Sequence, residues 1–500
     1  MRRLVVLLAL GAGLAVVAPI RGDGGAPTYA DLAPIFDSKC AGCHVQGGIA
    51  PFSLTTARQA QAHAADILRM TQIGAMPPWP PGPDSQPLVG QDSRLLTAAE
   101  KDLIARWVGA GAPAGAPVAP PPRAPATTGL VISPRAAYLP HAAVGGLDDY
   151  HCTLLTPRLA ADRMVAAARV IPGQPGIVHH VILFEETGVD AAAARAKDRA
   201  TGGKGWTCFG GPNLGELSGG AQAAQDTLRH SRWLGVWVPG KQNDAYPPGT
   251  AVPLPKDAVI VLQIHYNLIR PAKPDRTRVV LRFAPPGAEV KPLETQLFPA
   301  PVELPCPAGA SGLLCSRDAA IRQEAKAYGQ AASYIPFGLL YLCQKELPAA
   351  AGPTTTCDRT LDTPTTIYAV GGHMHLRGVD IEVDLNPGRP NGATLLHIPS
   401  WNFRWQDFYA LQTPVAAPAG SVVRVTCTYD NSAAHQPVVG TRRLAPRYVL
   451  WGEGTTDEMC LGVLQTSDGI AANATRQPQL LRALPVGLTV NRRLLCPTPG

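Results

Sequence analysis

Between Ala112 and Thr128 the sequence collapses to little besides alanine, proline and glycine, including the run Pro120, Pro121, Pro122. Such a stretch carries no apolar periodicity from which to build a core and favours extended, semi-stiff backbone, so it reads as a tether between folded units. The pattern changes across it. On the N-terminal side, Ala57 to Met70 and Thr97 to Gly109 carry apolar residues at three-to-four spacing, which predicts helices. On the C-terminal side, short alternating apolar runs separated by Pro, Gly and Asn predict strands, as in Ala258 to Ile269, Thr277 to Phe283, Thr366 to Leu385 and Ser421 to Tyr429. Asp190 to Lys204 and the region of Ala319 to Gln330 read as helical or irregular insertions. The 500 residues exceed what one core holds, and strands without intervening helices favour sandwiches or barrels. The expected fold class is multidomain: a small all-α unit at 27–113, the tether at 114–128, and two all-β sandwich, jelly-roll-like units at 129–288 and 289–500.

Residues 1–20 have a basic start at Arg2 and Arg3, an apolar run from Leu4 to Val17 and small residues near Ala18, the pattern of a cleaved export signal. The apolar run is shorter than the roughly 20 residues of a membrane-spanning helix. A periplasmic or secreted location is therefore expected, where the eleven cysteines would be oxidised or ligating. The formal charge of +7 includes Arg2, Arg3 and Arg21 of the leader region, so there is no basic field to attract nucleic acid. The expected partners are small molecules and redox proteins, with no membrane once the leader is cleaved.

Cys40, Ala41, Gly42, Cys43 and His44 form the pattern by which two thioethers tether a haem while the next imidazole binds its iron. A disulfide within the tetrapeptide would leave that histidine and the export signal unexplained. Met76, in Gly74, Ala75, Met76, Pro77, Pro78, Trp79, resembles the methionine loop of small c-type cytochromes and is the candidate sixth ligand, ahead of Met70. The later helix with Ile104, Trp107 and Val108 resembles the closing helix of that fold. One covalently bound haem c, shuttling single electrons, is the expectation.

Metal-binding side chains recur beyond the tether: His179, His180 and His265, then His373, His375 and Met459. Imidazoles suit zinc, copper, iron or nickel, but a thioether joining two imidazoles favours a metal that cycles through Cu(I). A period of two would put His373 and His375 on one face of a strand spanning Ile367 to Val383, where both can pinch one ion. His179 and His180 are adjacent, so binding one ion would need a bulge or strand end. Taken singly, His265 reads as a satisfied core histidine.

At His179 and His180 with Val181 to Phe184, Gln263 to Tyr266, His373 to His375, and Thr456 to Cys460, the chain resembles the copper type II monooxygenases, which include the peptidylglycine α-hydroxylating and dopamine β-monooxygenases. The similarity runs from about Asp148 to Cys496, with the motifs in the family's order. It implies two copper ions: an electron-transfer copper on His179, His180 and His265, and an oxygen-binding copper on the catalytic trio His373, His375 and Met459. The implied reaction is hydroxylation of a C–H bond with O2, at a cleft between two β-sandwiches. Several members draw electrons from ascorbate, whereas here a tethered cytochrome, itself served by a periplasmic electron donor, is placed to replace it.

The resemblance also implies disulfides Cys152–Cys208, Cys427–Cys460 and Cys357–Cys496. Cys306 and Cys315 would then close a short loop and leave Cys343 over. In the peptide-hydroxylating members an arginine two positions before the histidine pair, and an asparagine and a tyrosine after the Met-Cys, hold the substrate carboxylate. Here those positions are Gly371, Leu461 and Val463, so the expected substrate is a small apolar or aromatic molecule instead of a peptide. Trp401, Phe403, Trp405 and Tyr409 either line its pocket or pack a core. His141, His151, His230, His397 and His435 lack ligand-like spacing and read as structural. Two competing classes are a non-catalytic haem and copper carrier, and a hydrolase holding zinc on the first trio.

Overall fold

The computed structural model describes residues 25–118, 128–142, 148–208, 211–214, 232–238, 241, 244–346 and 350–467, less the single residues 47, 49, 269, 329, 404, 440 and 453. The leader, most of the tether, His230 and Cys496 lie outside the described residues.

The N-terminal part is helical, and its helices start where local chemistry satisfies their free N–H groups. Helix Ala98–Gly109 opens on a reciprocal cap, with Glu100 N–H donating to Thr97 Oγ1 (3.2 Å) and Thr97 N–H donating to Glu100 Oε2 (2.7 Å). Thr28 and Asp31 do the same for Tyr29–Ile35. The single helix expected over 57–70 is two, Ala57–Ala62 and Ala64–Gln72, because His63 leaves helical geometry at φ −124°, ψ 18°. Leu32, Phe36, Ile104 and Trp107 meet in a dry core.

Beyond the tether, sheets dominate. In the first half, a five-stranded sheet containing Arg163–Ile171 and Arg278–Phe283 faces a second five-stranded sheet built on Asp148–Leu155, Val259–Asn267 and Val178–Glu186. Val165, Val170, Val279 and Leu281 from one sheet and Val181, Leu183, Leu262 and Ile264 from the other share one core. The second half repeats the scheme with two four-stranded sheets, one holding Glu294–Pro299, Leu461–Ser467, Thr365–His373 and Phe408–Ala417, the other Thr354–Thr360, Val422–Tyr429, Gly378–Leu385 and Ala393–Ile398. Tyr368 and Leu293 reach across to the first core, so the halves share apolar packing. Helix Gly188–Ala200 and helix Arg317–Tyr328 fall in the two regions expected to be helical or irregular; helix Ile335–Leu342 is additional.

Among the described residues, four disulfides join Cys152–Cys208, Cys306–Cys315, Cys343–Cys357 and Cys427–Cys460. The third corrects the expected Cys357–Cys496 pairing. Cys343 closes the helix Ile335–Leu342 that the sequence pattern does not announce, and this brings it 5.1 Å (Cα to Cα) from Cys357 on the neighbouring strand.

The helical part is docked on the sheets. Residues 82–89 run as an irregular strap beside the second half, touching a strand of each of its two four-stranded sheets: Gly82 N–H donates to His397 O (2.7 Å), Gln86 N–H to Thr394 O (3.1 Å) and Val89 N–H to Ala410 O (2.8 Å). Leu88 is 1% exposed within the second half's core, and Trp79 meets Tyr409 edge-on at 5.5 Å. His397 is held between Asp84 of this strap (2.6 Å) and Asp380 of the sheet (2.9 Å). Burial alone would lower the His397 pKa, but hydrogen bonds and charge from both carboxylates outweigh it and hold the pKa above its ordinary value. A raised folded-state pKa means that this latch contributes fully below about pH 6.5 and is lost as pH rises through the folded value. Protection factors at Gly82, Gln86 and Val89, measured against the intrinsic base-catalysed rates, are therefore expected to fall between pH 6 and 9, and those of His397→Ala to be low at both ends of that range.

Candidate metal centres

The first histidine cluster is made by a bulge. Strand Val178–Glu186 pairs with Val259–Asn267 in a register that shifts between Val178 and His180, which lets two adjacent side chains turn to one side. His180 Nδ1 lies 3.2 Å from His179 Nδ1 and 3.4 Å from His265 Nδ1. Nitrogens bound at about 2.0–2.1 Å to one ion lie roughly 3–3.5 Å apart, so the spacing suits ligands of a single cation. His265 is fully buried with its Nε2 2.9 Å from Asp148 Oδ1, which makes Nε2 the donor and leaves Nδ1 a bare lone pair. Burial would raise the Asp148 pKa, but hydrogen bonds led by that from His265 hold it below the ordinary carboxylate value. Burial, then the charges of His265 and His179, keep the His180 pKa well below its usual value. The ligand atoms of His179, His180 and His265 all lie within 4.8 Å of one another, a grouping that could hold one metal ion.

The second cluster departs from the sequence reading. Strand Thr365–His373 ends at His373 and the next begins at Gly378, so His375 lies beyond the strand instead of two places along it. The reason is Glu458, whose buried carboxylate takes the N–H groups that would have continued the ladder: His375 N–H donates to Oε2 (2.8 Å), Arg377 N–H to Oε1, and Met459 N–H to Oε2 (3.3 Å). One carboxylate thus ties the histidine loop to the methionine loop. Burial pushes the Glu458 pKa up to about 7 against the pull of these donors and of the Arg377 guanidinium. Arg377, itself fully buried, spans Thr456 O, Asn431 Oδ1 and Gln436 Oε1. Tyr429 OH donates to Met459 O (3.0 Å), and the Cys427–Cys460 bridge fixes the next residue.

The two imidazoles stand 5.1 Å apart, ring centre to ring centre, and nearly perpendicular. His373 donates from Nδ1 to Gln406 Oε1 at 2.6 Å, freeing Nε2, and burial pushes its pKa down to about 4. The buried His375 Nδ1 has no hydrogen-bond partner, an uncompensated position that a metal ligand would occupy. Met459 lines the same cavity as both histidines. That donor set, two neutral imidazoles and a thioether, fits a soft metal.

Both clusters open on one cavity of about 130 Å³ between the halves. His180 lines it from one side and His373, His375 and Met459 from the other, with Ile182, Phe184, Trp233, Leu297 and Phe408 as apolar wall. Phe403 stands between the clusters, stacked on His179 at 4.7 Å and edge-on to His375 at 5.7 Å, which limits the separation of those two imidazole centres to about 10 Å. Of the aromatic group read from the sequence, Trp401 hydrogen-bonds His375 O (3.1 Å) and Tyr409 packs on Trp79. Gly371 pairs with Val463 and His373 with Leu461 in the sheet, so the three positions lacking carboxylate-binding side chains form one apolar patch on this wall.

Cys40 and Cys43 are unpaired, unlike the eight disulfide-bonded cysteines among the described residues. One tight turn brings them together, with Cys43 N–H and His44 N–H both donating to Cys40 O. His44 donates from Nδ1 to Phe52 O (3.0 Å), leaving Nε2 free for an axial bond, and burial lowers its pKa. These features fit a tethered haem. Met76 and Met70 are half-buried and joined by a backbone hydrogen bond of 3.1 Å. His141, His151 and His435 have structural partners in Tyr138, Lys204 O and Asp430.

Asp148, Gln406 and Glu458 were not legible as functional from the sequence. Each acts through a ligand far away in the chain, and only the Glu458 neighbourhood carried a motif.

Residues 332–465 match the family model for the copper type II ascorbate-dependent monooxygenase, C-terminal domain, a stretch that includes His373, His375 and Met459. No curated protein matches the chain. Among solved structures, coconut allergen cocosin is 9% identical with a TM-score of 0.11, the alignment covering 68% of this chain and 85% of that one. Recombinant pro-11S globulin of pumpkin and procruciferin, the 11S globulin from Brassica napus, are each 8% identical with the same coverage and TM-score; such scores do not establish a shared fold.

Glu458→Gln replaces one acceptor oxygen with a group that donates towards backbone N–H and removes one of the two carboxylate charges, with Asp457, that act on the Arg377 guanidinium. Copper affinity of the His373, His375, Met459 trio is expected to fall about 10- to 100-fold, with the other trio unaffected, as read by competition with a Cu(I) chelator. Tyr429→Phe, which removes only the bond to Met459 O, should fall by less.

Proposed function

We propose that the protein is a copper-dependent monooxygenase that hydroxylates a C–H bond of a small uncharged organic molecule, with electrons delivered through the c-type haem of its helical unit, and that it works outside the cytoplasm after export. The observation that carries this reading is the pair of histidine clusters, one from each half, flanking a single cavity lined by His180, His373, His375 and Met459. The family match over 332–465 supports copper and oxygen chemistry for the second half.

Copper in these positions supplies one-electron redox chemistry and O2 activation, so that R–H, O2, two electrons and two protons give R–OH and water. The chain's own residues set the conditions. His179, His180 and His265 would hold the electron-transfer copper, with Asp148 fixing the His265 tautomer. His373, His375 and Met459 would hold the copper where the substrate meets oxygen, with Gln406 orienting His373 and Glu458 holding the loops. Burial lowers the pKa values of His180, His373 and His375, which favours the neutral, ligating form of these three.

The wall selects the substrate. No arginine or lysine stands at Gly371, Leu461 or Val463, so a carboxylate buried there would have no charged partner, at a cost of several kcal/mol. Asp407 also lines the cavity; burial raises its pKa, and Lys241 and Arg94 only partly offset this. A neutral aromatic or aliphatic molecule meets no such penalty.

With 18O2, ascorbate and small neutral hydrocarbons such as ethylbenzene as probes, one labelled oxygen atom should appear in an alcohol product. Met459→Ala should abolish both that product and the oxygen-dependent reoxidation of the reduced haem. Reoxidation indifferent to Met459 would make the chain an electron carrier instead.

A further inference from the structure

We propose that Arg270 is the positioning residue that seats the haem loop on the copper-bearing halves and so directs electrons from the haem into the His179, His180, His265 cluster. This rests on the function proposed above.

The loop after His44 closes on itself, with Leu54 N–H donating to His44 O (2.9 Å) and His44 Nδ1 donating to Phe52 O (3.0 Å). The carbonyls of Gly48 and Ala50 are both taken by one guanidinium: Arg270 Nη1 donates to Gly48 O at 3.1 Å and Nη2 to Ala50 O at 3.3 Å. A planar fork that grips two carbonyls fixes orientation as well as distance, which a lysine cannot reproduce. Gly48 has no room for a side chain, since a Cβ there would lie 2.5 Å from Cys43 O, so the loop keeps the shape that Arg270 reads.

The two ends of this clamp are short. Gly48 is four residues from His44, and Arg270 is five residues beyond His265 on the chain leaving strand Val259–Asn267. At about 3.4 Å per residue, neither histidine is more than roughly 17 Å of backbone from the clamp. A second stretch of the helical unit is held separately: three residues after Met76, Trp79 packs on Tyr409, and the strap follows along the second half. Both candidate haem-ligand loops therefore run directly into contacts with the sheets, and among the described residues the His44 loop meets the half that carries the His179, His180, His265 cluster through a side-chain fork.

The step is a one-electron transfer: ferrous haem is oxidised to ferric, and cupric copper at the first cluster is reduced to cuprous, with no atom moved. An exported one-electron donor, such as a small cytochrome, resupplies the haem.

The test uses the full-length holoprotein, with ferric haem and cupric copper, in the absence of oxygen. A flash-generated one-electron reductant reduces the haem, whose visible bands are followed alongside the cupric EPR signal. Haem reoxidation should be first order, independent of protein concentration and matched by loss of cupric signal. Arg270→Ala should slow it at least ten-fold and Arg270→Lys should restore only part of the rate, with haem potential, copper content and direct reduction of copper by ascorbate unchanged. Leu88→Ala, which loosens the strap, serves as the variant of purely structural effect and should slow the step less. An unchanged rate in Arg270→Ala, or a second-order process, would overturn the assignment while leaving ascorbate-fed hydroxylation intact. A wild-type protein without a cupric signal would overturn the proposed function and this inference together.

Discussion

The buried carboxylate of Glu458 takes three backbone N–H groups from two separate loops, and the geometry of the second candidate metal centre follows from that one group. A thioether is a weak ligand with three rotatable bonds, so it contributes to a metal site only where its loop is held from several directions. Here Glu458 holds the loop from below, Tyr429 holds Met459 O, and the disulfide pins Cys460 to the strand carrying Cys427. Closing that 33-residue separation with a covalent bond restricts the unfolded chain by about 3–4 kcal/mol. Burying Glu458 with Arg377 is costly in itself, and such pairs serve arrangement more than stability. The arrangement they specify is that of His375 beside Met459.

The first centre reaches a similar end by different means. Its histidines lie in regular strands, and a bulge rather than a loop turns two neighbours to one side. Its outer support is a single carboxylate, Asp148, on the adjacent strand of the same sheet. A centre built on paired strands is rigid, which suits an electron relay, whereas a centre on anchored loops leaves an open side towards the cavity. Phe403 touches a ring of each cluster, stacked on His179 and edge-on to His375.

Much of this was legible in the sequence because periodicity and composition report local structure. The tether, the helical start, the strands and the candidate ligands all show as local patterns. What escaped were effects of long-range contact. Period-two alternation extended one strand from Ile367 to Val383, but a carboxylate more than eighty residues away ends it at His373. Cys343 lies 14 residues from its partner Cys357, yet the helix that delivers it has the apolar sequence Ile335–Leu342 without a clear polar face. The docking of residues 82–89 on the second half is invisible to any local signal, since an irregular segment finds its backbone partners only on the sheets it lies against. The signal available for Arg270 was weaker still: one basic residue after a run of strand residues.

The central claim is that each histidine cluster holds its own copper across one cavity. Copper per chain, measured by elemental analysis on washed protein reconstituted with copper, tests it most directly in the wild type, His265→Ala and His375→Ala. Two coppers in the wild type, and one in each variant with the loss confined to the altered cluster, is the predicted result. One copper or none in the wild type, or a stoichiometry that neither substitution changes, would contradict it.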